Sequence, residues 1–149
     1  MTILAIINDS AEAYRGVIPD DQYHDPYMSL EELRREMNEM TFSAYQEDGK
    51  LLAVVGYQPV RDVTLVRHLY VLPEHQRRGI GGQLLALTLR MATTRVVLVG
   101  TWEPATWAIC FYQKHGFALV PNKDELLRKY WKIPERQIEL SAVLRIESG

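Results

Sequence analysis

Between Glu74 and Leu85 the chain reads EHQRRGIGGQLL. Gly79, Gly81 and Gly82, with Arg77 and Arg78, stand directly before leucines at helical spacing. An apolar run, DVTLVRHLYVL, leads toward them and stops at Pro73. The chain therefore passes from a strand through a glycine-rich turn into a helix. A helix start leaves backbone N–H groups unpaired at the positive end of the helix dipole. Glycines let that backbone approach a ligand with no Cβ in the way. A junction of this kind suits a phosphate or pyrophosphate.

Bulk properties make that local device necessary. The 149 residues carry a formal charge of -2, so no global field draws the chain to nucleic acid or an anionic membrane. With 47% hydrophobic residues the expectation is a single domain, 1–149, with one core. One cysteine, Cys110, excludes an internal disulfide framework and a cysteine-based metal cluster, and a reducing cytoplasmic location is the natural reading. The opening MTILAIINDS lacks the features of a signal peptide, and no apolar run approaches membrane-spanning length, so the expectation is a soluble protein.

Ile3, Ile6, Ile7, Ser10, Ala11 and Tyr14 recur at helical steps, which predicts an opening helix. The alternative is a short strand over residues 2–7 and a helix begun by an Asp9/Glu12 capping box. Residues 16–29, with Pro19 and Pro26, read as an irregular surface segment. Ser29 and Glu32 form a capping box for a helix through LEELRREMNEM, and Asp48-Gly49 marks a hairpin between TFSAYQ and KLLAVVGYQ. Beyond the glycine-rich turn the chain predicts a helix GGQLLALTLRMA, a strand RVVLVG, a helix around TWAICFYQKHG, a strand after Gly116, an amphipathic DELLRKYW and a last strand RQIELSAVLRI. The class is mixed α/β.

Spacing narrows the choice of phosphate loop. The run lacks the Lys-Ser/Thr ending of a Walker loop, and GIGG does not satisfy G-x-G-x-x-G. What it does satisfy, from Gln76 to Gly81, is Q/R-x-x-G-x-G/A, and AICFYQKHGF satisfies A-x-x-x-Y-x-K-x-G-F through Ala108, Tyr112, Lys114, Gly116 and Phe117. With these two motifs in this order the chain resembles the GNAT N-acetyltransferase superfamily, as a small single-domain member of bacterial type. The resemblance covers nearly the whole chain. It implies a twisted, mostly antiparallel sheet, splayed between the family's fourth and fifth strands (here DVTLVRHLYVL and RVVLVG), with helices on both faces. Two features depart from the family pattern. Ala105 stands where an asparagine is common, and few residues are left for the family's first strand, which would leave TFSAYQ at an exposed edge. A homodimer contact there is one remedy.

The resemblance also assigns roles. Acetyl-CoA is the implied co-substrate, with no metal. Gln76, Arg77, Arg78, Gly79, Ile80, Gly81 and Gly82 would seat its pyrophosphate, with arginine charge directed toward the 3′-phosphate. The main chain of Leu69, Tyr70 and Val71 would pair with pantetheine as a short peptide pairs with a strand edge. Tyr112 would return a proton to the departing thiolate. An alkyl amine arrives protonated, with pKa near ~10.4, and Glu103 and His68 are the two candidates to take that proton. Tyr23, Tyr27, Trp102 and Trp107 are the candidate acceptor contacts. With Asp20, Asp21 and Asp25 nearby they suit a small cationic amine. His24, His75 and His115 are not spaced as metal ligands, and Cys110 reads as a small core residue. The alternatives are a non-catalytic module that holds acetyl-CoA as a sensor, and a protein or peptide N-acetyltransferase.

Overall fold

The first element is a helix, α1 (Ile3–Ala11), and not a strand. Thr2 caps it, its hydroxyl accepting from Ala5 N–H at 3.1 Å. Ile6, Ile7, Ser10 and Ala11 are its buried face, as the periodicity requires, and Asp9 lies inside the helix and not at its start. The computed structural model describes residues 2–147. These fall into two compact units. One is the chain up to Gln58 with Val66–Met91; the other is Pro59–Leu65 with the chain from Ala92 on.

In the first unit the irregular segment after α1 is pinned by one side chain. Asn8 donates from Nδ2 to the Met28 carbonyl at 3.0 Å and accepts from Met28 N–H at 2.8 Å, mimicking a backbone pair. The helix α2 (Leu30–Glu39) follows, with Ser29 Oγ accepting from Glu32 N–H at 3.1 Å. Next come β1 (Thr41–Glu47), β2 (Lys50–Val60) and β3 (Val63–Val71). Asp48 and Gly49, at φ +52° and +77°, make the left-handed two-residue turn between β1 and β2. β1 and β2 are antiparallel, with a register shift at Tyr45/Gln46. The helix α3 (Ile80–Met91) completes the unit and buries Ile80, Leu84, Leu85 and Thr88.

α2 is held to β3 by a buried charge. The Arg67 guanidinium donates to Glu36 Oε1 at 2.8 Å, and the Glu36 side chain is only 12% exposed. Gly56, opposite Phe42 on β1, leaves room for the Met40 and Phe42 side chains and the Arg67 carbonyl. A Cβ there would stand 3.0 Å from Met40 Sδ, 3.1 Å from Phe42 Cε1 and 3.3 Å from the Arg67 carbonyl oxygen.

The second unit holds β4 (Val96–Trp102), α4 (Thr106–Lys114), β5 (Ala118–Leu119), α5 (Lys123–Tyr130), α6 (Glu135–Glu139) and β6 (Ser141–Glu147). Its core gathers Leu98, Leu127, Tyr130, Ile138 and Val143 with Val63 and Leu65. Tyr130 keeps its hydroxyl satisfied by donating to Asp62 Oδ1 at 2.7 Å. β6 pairs antiparallel with both β4 and β5. The strand order is β1-β2-β3-β4-β6-β5; Val63–Leu65 of β3 belongs to the second unit and the remainder of the strand to the first. The result is a mixed α/β fold with a central, mostly antiparallel sheet and flanking helices. β1 is the terminal strand, and among the described residues none precedes α1.

Two expectations are corrected here. The segment RQIELSAVLRI is not one strand: Glu135–Glu139 is helical and the strand begins at Ser141. Pro134 starts that turn, Glu135 sits at its positive end, and Ser141 Oγ donates back to the Gln137 carbonyl at 2.6 Å, closing it. Ile138 enters the core from the helix, so its apolar character carried no strand information. Cys110 is exposed. The face of α4 that turns inward is set by Tyr112, and Cys110, two residues earlier, falls on the other side.

Gly56→Ala is expected to destabilise the fold by about 1–3 kcal/mol through overpacking, read as a lower urea midpoint with unchanged slope. Glu36 carries a second expectation. Burial pushes its carboxyl up, but the contact with His68 and the charge of Arg67 outweigh burial and hold it below the usual carboxylate range. Its contribution is therefore present at neutral pH and is lost as pH falls through that depressed value. The stability difference between wild type and Glu36→Gln should shrink on acidification, measured by urea unfolding across that range.

Candidate active site

In the first unit the chemistry gathers where β3 gives way to the loop before α3. His68 has φ +54°, a left-handed residue inside a strand. Histidine tolerates this conformation better than branched residues, yet it is held there only when its surroundings demand it. Those surroundings are specific. His68 Nε2 lies 3.0 Å from Glu36 Oε2. The distance is that of a hydrogen bond, although the ring N–H points off the line to the oxygen, and neither atom has an aligned partner among the described residues. The imidazole stacks on Phe42, with centroids 6.1 Å apart and planes 13° off parallel, and its other ring neighbour is Tyr70 at 6.4 Å.

From Tyr70 the aromatic contacts continue outward. Tyr14 lies 6.5 Å from Tyr70, Tyr27 5.5 Å from Tyr14, and Tyr23 5.7 Å from Tyr27. Tyr23 and Tyr27 are thus joined to β3 by a row of rings. At the outer end the Arg15 guanidinium sits 4.6 Å above the Tyr23 ring. Arg15 also pairs with Glu12 at 2.9 Å and Asp25 at 3.6 Å. A cation of the protein's own already occupies part of the acidic and aromatic surface that the sequence offers to a substrate.

The loop itself divides its residues by task. Gln76 turns back, its Nε2 donating to the Val71 carbonyl at 3.1 Å, so its side chain braces the end of β3. The same carbonyl accepts from Ser10 Oγ at 3.3 Å. Arg78 is engaged, with Glu47 at 2.7 Å and His75 Nδ1 at 3.0 Å. Arg77 is exposed and makes no ion pair with another described residue. Arg77 at φ +67° and Gly79 at φ +80° reverse the chain twice within three residues. The first backbone bond of α3 is Gln83 N–H to the Gly79 carbonyl at 3.1 Å. The N–H groups of Ile80, Gly81 and Gly82 precede it and are the unspent donors of a helix start. Leu69, Tyr70 and Val71 are half-buried on β3.

In the second unit Tyr112 is buried on α4, its ring against Phe117 at 5.6 Å and Phe111 at 5.3 Å. The turn after the helix brings Phe117 back, with Phe117 N–H donating to the Tyr112 carbonyl at 3.0 Å, and Gly116 permits it at φ +96°. The glycine and phenylalanine of the second motif therefore close the helix end around the tyrosine. Glu103 is exposed just past β4, its N–H donating to the Leu140 carbonyl at 2.8 Å. Trp102 is buried, whereas Trp107 is 46% exposed on the first turn of α4. Ala105 is the α4 N-cap and supplies no side-chain cap, so the departure at that position costs the helix a capping bond.

Sequence reasoning found His68 but missed Glu36 and Arg67. A signal for Glu36 was present: it stands between Leu33 and Met40 at the three- and four-residue steps of the buried stripe of α2. A carboxylate at such a position needs a partner in the fold. Among the described residues no group of three histidine, cysteine or carboxylate side chains is arranged to hold a metal. Nor is any described helix long and apolar enough to cross a membrane.

Comparison with known proteins places the chain by sequence and by fold. The Acetyltransferase (GNAT) domain model matches residues 38–119, from the end of α2 through the second motif. A GNAT family acetyltransferase from Elizabethkingia anophelis with acetyl-CoA bound is 25% identical, with 87% of this chain and 90% of that one covered and a TM-score of 0.62. An acetyltransferase of the GNAT family from Staphylococcus aureus Mu50 is 13% identical over 99% of this chain and 91% of that one, with a TM-score of 0.72. The UPF0157 protein YqkA of Bacillus subtilis strain 168 is 28% identical over 104 residues, which is 66% of this chain, and the chain spans only 30% of that relative's length. With more than half of its residues matched by the family model, including both the loop that opens α3 and the Tyr112 helix, the chain belongs to the GNAT acetyltransferase family.

Proposed function

We propose that the protein transfers an acetyl group from acetyl-CoA to the amine of a small cationic molecule in the cytoplasm, by direct attack in a ternary complex. The observation that carries this reading is the α3 start. Ile80, Gly81 and Gly82 offer unspent N–H donors after the left-handed Gly79, beside an Arg77 that no described residue pairs with. A CoA pyrophosphate fits such donors, and an exposed arginine suits its further phosphate. The thioester supplies an activated acetyl group.

In this reading the first unit contributes the pyrophosphate loop, the Leu69–Val71 main chain for pantetheine, and His68 as one candidate to take the ammonium proton. From the second unit come Tyr112 as the acid and Glu103 as the other candidate base. The amine lone pair attacks the thioester carbonyl carbon, a C–N bond forms and the C–S bond breaks. The electron pair leaves on sulfur, which takes a proton from Tyr112. One of the three protons of a primary ammonium has by then gone to the base, a second passes to the tyrosine oxygen, and the third stays on the amide nitrogen. A backbone N–H of residues 69–71 stabilises the oxyanion. With Arg15 already over Tyr23, the cationic preference is supported by the half-buried ring of Tyr27 and by Trp107, exposed on α4.

Thiol release from acetyl-CoA should appear with cationic small amines before neutral amines or peptides. Tyr112→Phe should lower kcat by about 10²-fold or more, with CoA still raising the melting temperature. No thiol release with any amine, alongside retained CoA binding, would instead make the protein a non-catalytic holding module. Gly79→Val forces a branched side chain into a left-handed conformation that costs about 1–3 kcal/mol. It should weaken CoA binding roughly tenfold or more by calorimetry.

A further inference from the structure

We propose that Glu36 is a positioning residue that holds the His68 imidazole with Nε2 protonated, leaving Nδ1 as the atom that accepts the proton of the acceptor ammonium. The inference rests on the acetyl-transfer reading and decides between its two candidate bases in favour of His68.

The argument is geometric. An ionised carboxylate can only accept. Glu36 Oε2 stands 3.0 Å from Nε2, and an anionic oxygen at that distance favours a hydrogen on this nitrogen over the other even with the N–H off the direct line. In neutral imidazole the other nitrogen then bears the lone pair. The ring has little freedom to turn. Phe42 lies parallel to it, Tyr70 lies on another side, and the backbone at His68 is held left-handed. Glu36 is itself fixed, since its second oxygen accepts from Arg67 at 2.8 Å.

The same carboxylate serves the step that follows. Once Nδ1 takes a proton from the ammonium, the imidazolium faces an ionised partner, which favours the charge. The proton then leaves to solvent, and the freed amine attacks as above. The charged and titratable groups around His68 are Glu36 from α2 and Arg67 and Tyr70 from β3, with Phe42 of β1 as an apolar wall; Arg35 acts on Glu36 from its own helix. Glu36 and Arg67 pull the histidine in opposite directions. That opposition gives the test its sign.

The first measurement needs no turnover. A long-range proton–nitrogen correlation spectrum of the wild-type protein should show a hydrogen on Nε2 of His68, and a predominant form with Nδ1–H and a bare Nε2 would overturn the proposal. The second is the acidic limb of kcat/KM against pH, for wild type, Glu36→Gln, Arg67→Met and Arg67→Lys. Removing the carboxylate should move the limb to lower pH by about one unit, and removing the guanidinium should move it upward. Arg67→Lys should restore the wild-type position, and KM for acetyl-CoA should hold throughout. His68→Gln should abolish the limb. Limbs that shift in the same direction, or stay fixed, would mean that Glu36 serves only packing. If no amine supports turnover, the transfer reading fails and the base role with it, while the spectrum still decides whether Glu36 holds the ring.

Discussion

A helix cannot pair its own first N–H groups, and in this chain that deficit lies at the start of α3, beyond the end of β3. The loop between them is shaped to keep the donors available. Arg77 and Gly79 take left-handed conformations, Gln76 spends its amide on the end of β3, and Arg78 is tied to Glu47 and His75. What remains is a run of backbone donors beside Arg77, which pairs with no described residue, and the functional reading depends on that remainder.

The two units manage polar groups differently. The second buries aliphatic and aromatic side chains around Leu98, Leu127 and Val143 and lets Tyr130 reach Asp62, so its core needs no buried charge. The first places an ionised carboxylate against β3, where Arg67 and His68 must answer it. Buried pairs of this kind add little net stability over apolar packing, while breaking one by removing a single partner is costly. Such an arrangement makes physical sense where a particular orientation is needed, and here the group being oriented is the imidazole on β3.

How much was legible depended on whether a signal was local. The Asp48-Gly49 turn, the Ser29 cap and the stripe of α1 each involve neighbours within four residues, and each stands in the structure as the residue pattern requires. The failures came where one pattern serves two structures. Ile138 suits either a strand or a helical turn, and Pro134 with Ser141 decided for the turn. Cys110 read as core because its neighbours are apolar, but a helix has an outside and Tyr112 sets the inside. The hairpin turn at Arg61, with φ +55°, carries no glycine or asparagine to announce it.

The sequence by itself determined the loop and its partner motif, because glycine positions, a helix start and a tyrosine at fixed spacing are properties of short stretches. It named Glu103 as the first candidate base and His68 as the second. Only the tertiary structure shows that His68 has a buried carboxylate beside it while Glu103 is exposed. Glu36 and His68 are 32 positions apart in the chain, and no periodicity links a stripe position on α2 to a left-handed residue on β3. Their meeting at 3.0 Å follows from how α2 packs against the strand. Long-range pairing of charge is settled by the packing that excludes water, and so it becomes readable only once the chain has folded.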